Sequence, residues 1–316
     1  MYTGEPGLPR LSTERARTLR NHCRHFSRLG WALFGQAASA LVIQVLAVFL
    51  ANWLAPDLMY RDLFLWGLSV LSVYGVGFPV FCAVAGSVEA PPAAVPKRPL
   101  GPARFFQAYL IGLSLLYLAN SITLLLLSLA ELLRGQPITN PVENIQDYPV
   151  GLNLVLGCVI APITEEFMFR RILLDRLRPY GDLFAVLASA LCFGLFHGNF
   201  NQFLYAFALG TVFGYIVLRT GCLWQTILLH AMVNVIATGV SPLLELLGER
   251  GNQLLGTLVL GSILLGIVFL AALRRELTFH PGRLGLSPGC TWRLFFENPG
   301  VVFFCLLALL EAVSFL

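Results

Sequence analysis

The chain has 316 residues, of which 57% are hydrophobic and only 12% charged, with a mean hydropathy of +0.75. Ordinary soluble domains carry roughly 25% charged residues, so the composition excludes a soluble globular protein. The formal net charge of +4 falls in the connections between apolar runs and does not suggest a nucleic-acid partner.

Residues 1–30 hold six arginines and no apolar core, a basic segment in which no cleavable signal peptide is expected. Apolar runs follow at roughly 31–55, 63–86, 104–130, 150–168, 183–197, 202–218, 222–240, 253–273 and 299–316. Several reach the roughly twenty residues that a helix needs to cross a bilayer. The expected fold is therefore all-α, a polytopic transmembrane helical bundle of eight spans, with the last run as a ninth candidate. The stretch APPAAVPKRPLGP is too rich in proline for a regular helix and reads as a surface linker. The seven cysteines sit mostly in apolar runs, without metal or redox spacing, and read as small buried hydrophobes.

Lys and Arg alternate between connections. The basic N-terminal segment, Lys97 with Arg98 and Arg104, the group Arg170, Arg171, Arg176 and Arg178, the single Arg219, and Arg274 with Arg275, Arg283 and Arg293 fall on one side. Arg61, Arg134 and Arg250 fall on the other. The excess puts the N terminus in the cytoplasm. Arg-rich cytoplasmic ends without an organelle signal fit a bacterial inner membrane.

Polar residues inside apolar runs are costly and usually meet in a shared wet cavity. Glu165, Glu166 and Arg170 end the run at 150–168 behind Pro162, which can bend the helix. Glu166 and Arg170 are four apart and suited to an ion pair, while Glu165 is rotated about 100° from Glu166 and left to point elsewhere. Phe193 and His197 share a face of the fifth run; His230 and Asn234 share a face of the seventh. Taken singly, these residues also fit a capped span end, an interfacial histidine and helix–helix hydrogen bonding. Together they supply a carboxylate and imidazole to deprotonate water, and an imidazole and amide to donate to an oxyanion. On this map His197 lies near the opposite end of its span from Glu165 and His230, so that span starts later or a helix is broken. Glu311, in the last run, is assigned no function.

The pattern E-E-x-x-x-R (Glu165, Glu166, Arg170), F-x-x-x-H (Phe193, His197) and H-x-x-x-N (His230, Asn234) resembles the CAAX protease and bacteriocin-processing family, relatives of the type 2 CAAX prenyl endopeptidase. The resemblance covers roughly residues 150–240, a protease core between membrane helices at 31–149 and 241–316. It implies an intramembrane endopeptidase. Glu165 would activate water with help from His197. His230 and Asn234 would form the oxyanion site, Glu166 and Arg170 would support the site or engage substrate, and Phe193 would line the cavity. It further implies membrane lipids and a membrane-anchored peptide (CAAX-like, sorting-tail or bacteriocin-type) as partners. No cofactor is expected. The family was long called metalloproteases and is better described as glutamate-dependent; H-E-x-x-H is absent here, and zinc on two His and two Glu is the minor alternative. A proton-coupled transporter, with Glu165, His197 and His230 as a relay, and a non-catalytic membrane scaffold or immunity protein remain rival readings.

Overall fold

The computed structural model describes residues 13–89, 97–141 and 148–316. Ten helices carry the fold: α1 (Thr13–Leu54), α2 (Asp62–Gly86), α3 (Pro102–Arg134), α4 (Val150–Tyr180), α5 (Asp182–Phe196), α6 (Phe200–Thr220), α7 (Leu223–Glu245), α8 (Glu249–Leu273), α9 (Pro288–Phe296) and α10 (Pro299–Val313). No strand occurs among the described residues. The seven residues of the proline-rich linker from 90 to 96 lie outside the described residues.

Among the described residues, seven helices are long and apolar enough to cross a membrane, or eight if α9 and α10, bent by 66° at Glu297–Asn298, count as one broken span. The all-α polytopic bundle stands, with one apolar run fewer crossing on its own. The run at 183–197 forms α5, only 15 residues and about 22 Å long against a hydrocarbon core of about 30 Å. It ends because Gly198 adopts a positive φ of 60° and Asn199 caps the next helix, its side chain accepting from the Gln202 amide.

Two apolar cores result. One joins α1, α2, α4, α5, α6, α9 and α10, with Phe26, Phe81, Phe169, Phe193, Phe295 and Phe304 fully buried. The other joins α3, α6 and α7, through Leu113, Leu209, Phe213 and Leu229. Glycine sets the closest approaches. Gly30 and Gly300 bring α1 and α10 so near that a Cβ on either would collide with the other helix's backbone, the small-residue contact common between membrane helices. Elsewhere the outer surface is apolar, as at Phe49, Leu125 and Leu246, which suits lipid rather than water. All seven cysteines are free.

The basic connections converge on one end of the bundle. Arg104 pairs with Glu276 at 3.0 Å, and Arg219 with Asp182 at 3.7 Å. The Arg98 amide donates to the Thr220 carbonyl, and a His25 ring nitrogen to the Arg176 carbonyl. Arg219, the weakest step in the alternation of charge, thus joins the same end as Arg171 and Arg178.

Candidate active site

The site lies where α4, α5 and α7 meet, backed by α2. Its depth follows from chain counting. Gly181 turns the chain between α4 and α5, and Glu165 and His197 lie sixteen residues to either side of it. At about 1.5 Å per residue both sit about 24 Å from the turn. The short α5 therefore removes the mismatch in depth expected from a full fifth span: His197 ends at the level of Glu165.

Glu166 and Arg170 form the anticipated pair, Nε to Oε2 at 3.3 Å, with both side chains fully buried. Arg170 also lies over aromatic faces, 4.3 Å from the Phe193 centroid and 5.7 Å from that of Phe213. A planar guanidinium stacks in this way where an ammonium would not. Phe193 meets both histidines edge-on, at 5.0 Å from His197 and 5.8 Å from His230. It packs between the Arg170 guanidinium and the two imidazoles.

His230 bridges the two carboxylates. Its Nδ1 is 3.2 Å from Glu166 Oε1, and its Nε2 is 3.9 Å from Glu165 Oε2. Glu166, paired with Arg170, only accepts, so Nδ1 carries a hydrogen, and Nε2 faces Glu165. His197 follows the same logic: its Nδ1 donates to the Phe193 carbonyl at 2.9 Å, and the ring interacts electrostatically with Glu165. Glu165 is itself held by a residue that the motifs do not contain. The Tyr74 hydroxyl donates to Glu165 Oε1 at 2.7 Å, leaving Oε2 for other work. A cavity of about 10 Å³ beside Glu165 is lined by Tyr74, Gln36 and Phe196, about the space of one water.

Asn234 donates from Nδ2 to the Gly157 carbonyl at 2.6 Å. The reason lies in α4, which widens to a π-helix over Leu156–Ile160; there the Ala161 amide reaches back five residues to the Leu156 carbonyl. The next donor in that register is Pro162, which has no N–H. Gly157 is the carbonyl that proline leaves over, and Asn234 supplies the missing hydrogen. Glu311 packs its carboxylate against Gly198, the residue after His197, where a Cβ would lie 2.6 Å from Oε2.

No group of three or more His, Cys, Asp or Glu side chains able to hold a metal ion occurs among the described residues. Every motif residue except Asn234 is thus tied to the Glu165–Glu166 pair by contact or charge; Asn234 touches α4 two turns earlier. Sequence reasoning missed Tyr74, because one tyrosine in an apolar run carries no signal until α2 is packed on α4.

Residues 149–236 match the model of the type II CAAX prenyl endopeptidase Rce1-like family. Over 119 residues the chain is 29% identical to a Bacillus subtilis protein named "Putative membrane peptidase YdiL", a match covering 37% of this chain and about half, 48%, of that relative. No solved structure matches. The segment that carries all three motifs is thus similar to the Rce1-like CAAX prenyl endopeptidase family.

Proposed function

We propose that the chain is a membrane-embedded endopeptidase in which Glu165 activates water against a peptide bond near a membrane anchor. The observation that carries this reading is the 3.9 Å gap between Glu165 Oε2 and His230 Nε2. In this reading His230 carries its one hydrogen on Nδ1, so both facing atoms accept hydrogen bonds and cannot satisfy each other. A single water between them, donating one hydrogen to each, satisfies both, with its oxygen lone pairs turned outward for attack.

The chemistry then runs through side chains alone. Attack of the water oxygen on the scissile carbonyl forms a carbon–oxygen bond, and its proton passes to Glu165 Oε2. Breaking the carbon–nitrogen bond returns that proton to the leaving amine, so Glu165 acts first as base and then as acid. Tyr74 fixes the other oxygen throughout. The second amide hydrogen of Asn234 is the donor assigned to the carbonyl oxygen as charge develops on it. Glu166 and Arg170 hold His230 in the required tautomer. The substrate class is a CAAX-like, sorting-tail or bacteriocin-type peptide. The bundle sits in a bacterial inner membrane with its basic end and N terminus in the cytoplasm, as the distribution of arginine argues.

The test is cleavage of membrane-anchored peptides in proteoliposomes made up in H₂¹⁸O. One labelled oxygen per new carboxyl terminus is expected. Proton-coupled solute flux without any peptide cleavage would favour the transporter reading instead.

A further inference from the structure

A second, larger cavity of about 700 Å³ opens at the basic end, between α4, the start of α7 and the segment after α8. It shares no lining residue with the small cavity at Glu165. Its size is that of an ordinary small-ligand site.

The walls are held in place by bonds independent of any occupant. The Gln225 side chain clamps both the amide and the carbonyl of Leu100, and the Arg98 amide bonds the Thr220 carbonyl, which fixes the approach of Lys97. The Asp182 amide donates to the His280 carbonyl and the His280 amide to Asp182 Oδ2, and the Arg283 amide donates to the Pro179 carbonyl. Four cations, Lys97, Arg171, Arg178 and Arg283, face two carboxylates, Asp175 and Asp182. Asp175 is taken by Arg171 at 2.9 Å and Arg178 at 4.0 Å, and Asp182 by Arg219. Lys97 and Arg283 have no carboxylate partner among the described residues.

The apolar part of the lining is equally informative. Phe167 and Trp224 line the cavity and remain exposed, Trp224 at the end of the bundle where the basic connections meet and Phe167 deeper along α4. Exposed aromatics beside unpaired cations mark the interface between acyl chains and headgroups. We propose that this cavity binds the headgroup of an anionic phospholipid, its phosphate on Lys97 and Arg283 and its acyl chains running out past Trp224 and Phe167.

The experiment titrates the full chain in detergent micelles with dioleoyl phosphatidylglycerol, dioleoyl phosphatidylcholine or inorganic phosphate, following thermal unfolding and native mass spectrometry. Phosphatidylglycerol should raise the unfolding temperature above the phosphatidylcholine value and stay bound at one per chain. Lys97→Gln with Arg283→Gln, both exposed positions, should weaken that binding at least tenfold. Removing the same charge at the other end, with Arg134→Gln and Arg250→Gln, should leave it unchanged. Equal binding of the two lipids, equal loss in both double variants, or a full shift from inorganic phosphate alone would each overturn the proposal.

Discussion

Tyr74 is the residue on which the position of the proposed base depends. Its hydroxyl holds one oxygen of Glu165, and a hydrogen bond to a charged group is worth about 1.5–3 kcal/mol. Tyr74→Phe keeps the ring and its packing but removes that bond, and should lower kcat roughly ten- to a hundredfold with KM little changed. Steady-state kinetics on a cleaved peptide, with unfolding temperature as control, separates this from a packing defect. Arg170 makes the complementary case. Arg170→Met strands the Glu166 carboxylate in a dry interior and should destabilise the protein by about 3–5 kcal/mol, while adding Glu166→Gln recovers much of the loss. Denaturant unfolding in micelles measures both. The pair itself was readable from the i,i+4 spacing; the aromatic cage around Arg170 was not, because Phe213 comes from a helix that no motif touches.

At the scale of elements, α4 pays for its central proline with a side chain from α7. If Asn234 satisfies the Gly157 carbonyl, then Asn234→Ala costs stability, about 1–3 kcal/mol, besides any loss of activity. Pro162→Ala restores the missing N–H, so the same asparagine substitution in that background should cost at least 1 kcal/mol less. A double-mutant cycle on unfolding free energy checks this; additive effects would mean the two residues are not coupled. Neither partner's role could be read from the chain, since the bond spans 77 residues and depends on a local π-helix. The short α5 was closer to legible. Gly198 and Asn199, a positive-φ glycine and a helix cap, stand where the apolar run breaks, yet hydropathy alone counted the run as a span. Spacing and hydropathy identified the helices and motifs; the depth of each residue needed the Gly181 turn.

Over the whole molecule, the arrangement of charge agrees with the alternation read from the connections: Lys97, Arg171, Arg178, Arg219 and Arg283 gather at one end, and Arg134 and Arg250 follow connections on the other. In a cysteine-free background, Arg134→Cys and Arg250→Cys should react with a membrane-impermeant thiol reagent in intact cells. Lys97→Cys and Arg283→Cys should react only after lysis. The reverse pattern would invert the proposed orientation. The Rce1-like segment covers α4 through most of α7, but the structure places Tyr74 of α2 and Glu311 of α10 against its two halves. The flanking helices therefore complete the site as well as anchoring it. The most direct measurement is cleavage of a membrane-anchored peptide by reconstituted wild-type protein and by Glu165→Gln, which keeps the shape and the Tyr74 contact but cannot take a proton. We expect cleavage by the wild type and a loss of roughly 10²–10⁴-fold in the variant; equal rates would contradict Glu165 as the base.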